Sequence, residues 1–205
     1  MTSMDKEIRV FNIDQTKIKV EERHDGPPKI SGYAAVFNSQ SEDLGFREII
    51  KPGAFKKAIK KSDVRALMNH DPNLIFGRQG VNLRLREDKH GLHMEAEPVA
   101  TSTYRMVAEN IAAGLITQQS FAFTVPNGGD EWNDDYSKRT INEVDQIFDV
   151  SPVTYPAYSD TSVALRSRDA AKGSPTTAGN PSYEGPTPLD KKLFDKIDKL
   201  KERIK

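Results

Sequence analysis

The 205-residue chain contains no cysteine, which excludes disulfides, thiolate metal sites and a cysteine nucleophile. It also lacks an excess of either charge, because 30 Lys and Arg balance 30 Asp and Glu. Nucleic acid or an anionic membrane as main partner would favour a basic chain, so neither is expected. Long apolar runs are missing as well, none exceeding residues 111–116 in length. The first ten residues, MTSMDKEIRV, hold no apolar signal region, so the chain reads as one made and used in cytosol. No Gly-rich phosphate loop, HExxH or GxSxG occurs, which argues against nucleotide hydrolysis, zinc proteolysis and the common serine-hydrolase scaffold.

Apolar residues are few, at 36%, and they are unevenly spread. Residues 167–188 hold four Pro, three Gly, three Ser and three Thr and no Val, Ile, Leu, Met, Phe or Trp. Such a stretch cannot bury enough surface to offset its ordering entropy and reads as a flexible linker. Beyond it, Leu193, Ile197, Leu200 and Ile204 recur at helical spacing, so residues 189–205 read as an amphipathic helix for docking or self-association. The body, residues 1–166, reads as mainly β with peripheral helices. Alternation predicts strands over 8–13, 17–20, 30–37, 64–68, 83–85, 92–97, 119–125 and 141–150. Helices are predicted over 52–59 and 103–114, and residues 126–139 read as a polar loop. Many strands with few, separated helices predict a closed or nearly closed β-barrel with a C-terminal tail helix appended.

Three residues in this body carry chemical interest. His70 follows an apolar strand into the turn Asn69-His70-Asp71-Pro72, which places its ring at a rim. Ser120 lies in Gln119-Ser120-Phe121-Ala122-Phe123-Thr124-Val125. Alternation sends the aromatic residues to the core and leaves Ser120, Ala122 and Thr124 on a small-residue face that a substrate backbone can approach. Asp149 sits inside an apolar strand and needs a partner there, either a histidine N–H or an arginine such as Arg65 or Arg166. His90 and His93, and the acidic loop residues Asp130, Glu131, Asp134 and Asp135, lack metal-ligand spacing and read as surface groups.

Five blocks, residues 32–38 (GYAAVFN), 47–55 (REIIKPGAF), 63–78 (DVRALMNHDPNLIFGR), 114–123 (GLITQQSFAF) and 150–168 (VSPVTYPAYSDTSVALRSR), together resemble the prohead proteases of tailed double-stranded-DNA phages, serine peptidases related to herpesvirus assemblin. The resemblance implies an assemblin-like barrel, His70 as the histidine of the NHD turn, Ser120 as the nucleophile and Asp149 as the third member. The herpesvirus relatives use a second histidine after the serine, and this chain has none after His93. Ala122 stands where many relatives have Gly. Should Asp149 not serve, Asp71 and His93 are the next acids or bases to consider.

No cofactor is implied. The expected activity is cleavage of a scaffold protein, or of the scaffolding segment of the major capsid protein, and of the chain itself. It would take place inside the assembling procapsid in the host cytoplasm, with self-association expected. The competing reading is a non-enzymatic procapsid assembly protein on the same barrel.

Overall fold

Alternating strands dominate the chain, and their pairing decides where the candidate residues meet. The computed structural model describes residues 5–24, 28–155 and 161–173. In chain order the elements are β1 (Glu7–Asn12), α1 (Ile13–Thr16), β2 (Lys19–Glu21), β3 (Lys29–Val36), β4 (Arg47–Ile50) and α2 (Ala58–Lys61). Then come β5 (Arg65–Met68), β6 (Asp71–Arg78), β7 (Leu83–Glu87), β8 (Gly91–Ala96), α3 (Ser102–Ala112) and β9 (Gln118–Thr124). The last are β10 (Asp130–Trp132), β11 (Lys138–Ile141), β12 (Gln146–Val153) and α4 (Thr161–Ala171).

These strands form three sheets among the described residues: β1-β9-β12-β5-β6, β10-β11-β4 and β2-β3-β8-β7. Of the expected closed or nearly closed barrel, closure is not found among the described residues, because it needs every edge paired and β1 and β6 are edges of the five-stranded sheet there. Pro72, without an N–H to donate, sits in the edge strand β6, where a missing ladder bond is tolerated. The fold is mainly β with few helices.

Phe121 and Phe123 of β9 stack at 4.5 Å, and Phe55 meets Phe121 edge-on at 5.6 Å. Each such pair adds about 0.5–1.5 kcal/mol beyond the area it buries. The helix over α3 forms as predicted: the Thr101 side chain accepts from the Tyr104 N–H, and Tyr104, Val107, Ala108 and Ile111 face the core. Its polypeptide turns away at Gly114, where φ is +72°.

Elsewhere the elements differ from expectation. The helix predicted over 52–59 is a series of turns leading into α2. The loop 126–139 carries β10 and the start of β11, whose parallel partner β4 lies far away in sequence. Turn residue Asp71 already belongs to β6. The linker expected from Ser167 overlaps α4, which continues to Ala171. The tail helix 189–205 and the remainder of the linker lie outside the described residues.

A buried charge cluster fastens β1 to the β10-β11-β4 sheet. Arg9 donates to Glu7 at 2.5 Å and to Glu48 at 2.8 and 2.9 Å, while Arg139 donates to Glu7 at 2.7 and 3.0 Å, to Glu48 at 3.0 Å and to Asp130 at 2.6 Å. Burial works to raise the Glu7 carboxyl, but Arg9 and Arg139 outweigh it and hold it below its ordinary range.

Candidate active site

Ser120, Asp149 and His70 come from three consecutive parts of the five-stranded sheet: β9, its neighbour β12, and the turn after β5, which is the other neighbour of β12. Ser120 pairs with Val10 on one side and Ser151 on the other, so these three side chains share a face. Arg9, Phe121 and Val150 form the adjacent row and point to the opposite, aromatic side.

Asp149 reaches the Ser120 face through a bulge. Ile147 pairs with Phe123, but Asp149 pairs with Ala122, so Phe148 is an extra residue in the ladder. Strict alternation would place Ile147 and Asp149 on the same, aromatic side. The bulge turns the carboxylate to the side that carries the serine.

His70 reaches the same face through backbone conformation. The pair Met68↔Asp71 closes β5 and β6 around a two-residue loop. Both loop residues are left-handed, Asn69 at φ +55° and His70 at φ +58°, as a type I′ hairpin turn requires. A Cβ in that region costs about 1–2 kcal/mol, and contacts at both loop residues offset it. The Asn69 N–H donates to the Pro152 carbonyl at 3.0 Å, and the Asn69 side chain bonds Thr154.

The result is a continuous chain of hydrogen bonds. His70 Nδ1 lies 2.5 Å from Asp149 Oδ1, and His70 Nε2 lies 2.7 Å from Ser120 Oγ. The carboxylate only accepts, so Nδ1 carries the proton and Nε2 is free to accept from the serine hydroxyl. That hydroxyl has a second acceptor, the Arg9 carbonyl at 3.0 Å. Asp149 Oδ1 also accepts from Ser151 Oγ at 2.7 Å, and Lys6 Nζ lies 3.5 Å from Oδ2. Burial alone pushes the Asp149 carboxyl up. The His70 hydrogen bond and charge, the Ser151 hydroxyl and Lys6 outweigh burial and hold it below its usual range.

The open small-residue face expected around Ser120 is absent. Ser120 and Ala122 have no exposed surface, whereas the His70 side chain retains 14%. The His70 ring and the Arg9 carbonyl both lie against the hydroxyl.

Neither candidate arginine partners Asp149. Arg65 pairs with Asp63 at 2.6 Å, and Arg166 with Asp5 at 3.2 Å. Asp71 accepts from Asn73 within its own turn, and His93 lies on β8 in another sheet, edge-on to Tyr33 at 4.9 Å. His90 donates to the Gln15 carbonyl at 3.2 Å, and Asp130 is drawn into the Arg139 cluster. Among the described residues no three His, Asp or Glu converge as a metal site. A cavity of about 280 Å³ beside β1, lined among others by Arg9, Phe11, Glu48 and Gln118, includes none of the three candidate residues.

Sequence reasoning missed Ser151, Lys6 and the Arg9 carbonyl. Ser151 had a signal, since a residue two along a strand from Asp149 shares its face. Lys6 and the Arg9 carbonyl had none.

A family model for the caudovirus prohead serine protease matches residues 15–174. No curated protein sequence matches significantly. Among solved structures, the bacteriophage T4 capsid assembly protease superposes with a TM-score of 0.52 at 14% identity, covering 76% of this chain and 100% of that one. At that identity the likeness shows the fold.

Proposed function

The chain belongs to the caudovirus prohead serine protease family and is a serine peptidase, and on that premise we propose that Ser120, His70 and Asp149 are its catalytic residues. A serine hydroxyl is a weak nucleophile until a base takes its proton. His70 Nε2 is within hydrogen-bond range of Oγ and accepts that proton as Oγ attacks the substrate carbonyl carbon. The proton then passes to the leaving amine as the peptide C–N bond breaks. Water, deprotonated by the same nitrogen, hydrolyses the acyl-enzyme and releases Ser120. Asp149 holds the Nδ1–H tautomer and stabilises the imidazolium in both halves of the cycle. The observation that carries the assignment is the unbroken relay from Asp149 Oδ1 through both ring nitrogens to Ser120 Oγ.

The substrates are a scaffold protein or the scaffolding segment of the major capsid protein, followed by the chain itself, within the assembling procapsid. The Pro- and Gly-rich stretch beyond α4 serves as a tether and as the site of self-cleavage, because extended chain enters a cleft without an unfolding cost. Residues 189–205 dock on scaffold through their apolar stripe and promote self-association.

The test is incubation with the cognate capsid and scaffold proteins, with new termini mapped by mass spectrometry. Wild type is expected to generate discrete termini and Ser120→Ala none. Identical termini from Ser120→Ala would overturn the nucleophile, and intact substrates with folded, particle-assembled wild type would favour a non-enzymatic assembly protein.

A further inference from the structure

Ser151 is fully buried, and its hydroxyl donates to Asp149 Oδ1 at 2.7 Å. The same oxygen receives His70 Nδ1–H, whereas Oδ2 faces the half-exposed Lys6. A carboxylate rotates broadly about its last torsion, and a lysine reaching it from solvent would draw it away from the imidazole. A second buried donor on Oδ1 opposes that rotation. The register places the arrangement: Ser151 pairs directly with Ser120, and Asp149 with Ala122, across one antiparallel ladder.

We propose that Ser151 is a positioning residue that fixes the Asp149 carboxylate plane so that Oδ1 holds His70 Nδ1–H and Nε2 stays aimed at Ser120. The proposal rests on the peptidase reading of this site. It extends that reading from three residues to a fourth that touches neither substrate nor the reacting hydroxyl. The other titratable or charged groups near the carboxylate are Lys6 from the approach to β1, His70 from the β5–β6 turn, and Arg65, which is paired across from Asp149 on β5 and engaged by Asp63. His70 Nδ1–H is the donor that the carboxylate must hold in place, and neither Lys6 nor Arg65 is a buried neutral donor, so none replaces the Ser151 hydroxyl.

The experiment uses the full chain, a tagged fluorophosphonate as active-site probe, and the downfield proton resonance of the ¹⁵N-labelled His70–Asp149 hydrogen bond. Ser151→Ala removes one oxygen and leaves no cavity of consequence. It is expected to slow labelling of Ser120 by about 10- to 100-fold, as loss of a hydrogen bond to a charged group implies, and to shift or broaden the His70 resonance. Ser151→Thr restores both signals because it keeps the hydroxyl, and Ser151→Cys, a weak donor of similar size, follows Ser151→Ala. Wild-type labelling and an unmoved resonance in Ser151→Ala would overturn the proposal. If Ser151→Ala does not fold, the Thr and Cys variants decide: equal labelling and equal resonances in the two overturn it. Failure of wild type to label counts against the peptidase reading, while the resonance in each variant still decides the placement of His70.

Discussion

Asn69 and Thr154 tie the ends of two neighbouring strands together: Thr154 N–H donates to Asn69 Oδ1 at 2.9 Å, and Asn69 Nδ2 donates to Thr154 Oγ1 at 3.0 Å. The clamp fixes the turn from which His70 projects. Asn69→Ala loses the clamp and places a Cβ-bearing residue without compensation at φ +55°, a destabilisation of about 2 kcal/mol. Asn69→Gly loses the clamp but relieves the backbone, so it should melt closer to wild type while still slowing Ser120 labelling about 10-fold. Thermal melting and labelling rate, measured on both variants, separate the two contributions. Wild-type labelling in both would show that the clamp does not position His70.

The charge cluster should behave as an interdependent unit. Glu48→Gln leaves Arg9 and Arg139 buried with one fewer carboxylate between them, and breaking a buried pair from one side costs about 3–5 kcal/mol. Urea denaturation reports this directly. A loss below about 1 kcal/mol would mean that β1 is held to the β10-β11-β4 sheet by packing alone.

Acid sensitivity follows from the signs of two shifts. Glu7 and Asp149 are both held below their ordinary range in the fold. A depressed carboxyl contributes stability that is complete above its unfolded value, about 4.3 for Glu and 3.9 for Asp, and is lost as pH falls toward the folded value. Stability should therefore change little on descending to about pH 5 and fall steeply below about pH 4. Urea midpoints across that range test it, and Glu7→Gln should flatten the fall relative to its own value at neutral pH. A midpoint that stays level below pH 4 contradicts the account.

Gly91 is a close backbone approach in the β3–β8 ladder, since a Cβ there would lie 2.0 Å from the Ala35 carbonyl oxygen. The ladder shifts register between Tyr33 and Ala35, beside that carbonyl. Gly91→Ala should cost about 3 kcal/mol or abolish folding, visible as a lowered melting temperature or loss of soluble protein. A wild-type melt would refute the close approach.

Much of this was readable from sequence, for identifiable reasons. β9 declared itself through Phe121, Phe123 and strict alternation, and α3 through Thr101 at its start and Gly114 beyond its end. Those signals are local. The placement of Asp149 was not local, because the Phe148 bulge inverts the face that alternation assigns. β1 misled in the same way: its apolar residues Ile8 and Val10 are only partly buried, while Glu7 and Arg9 are inside. Their partners, Glu48 and Arg139, come from strands distant in sequence, and one of those strands lies partly in what reads as a polar loop. Strand segregation into three sheets likewise depends on long-range pairs such as β11 with β4, which no window of sequence contains.

The central claim is that Ser120 is a nucleophile activated by His70. Its most direct test is reaction of the folded chain with a fluorophosphonate, followed by peptide mapping of the adduct. The account predicts a single phosphonyl adduct on Ser120, absent from Ser120→Ala and slowed by several orders of magnitude in His70→Ala. An adduct on another residue, or Ser120 labelling at the wild-type rate without His70, would contradict it.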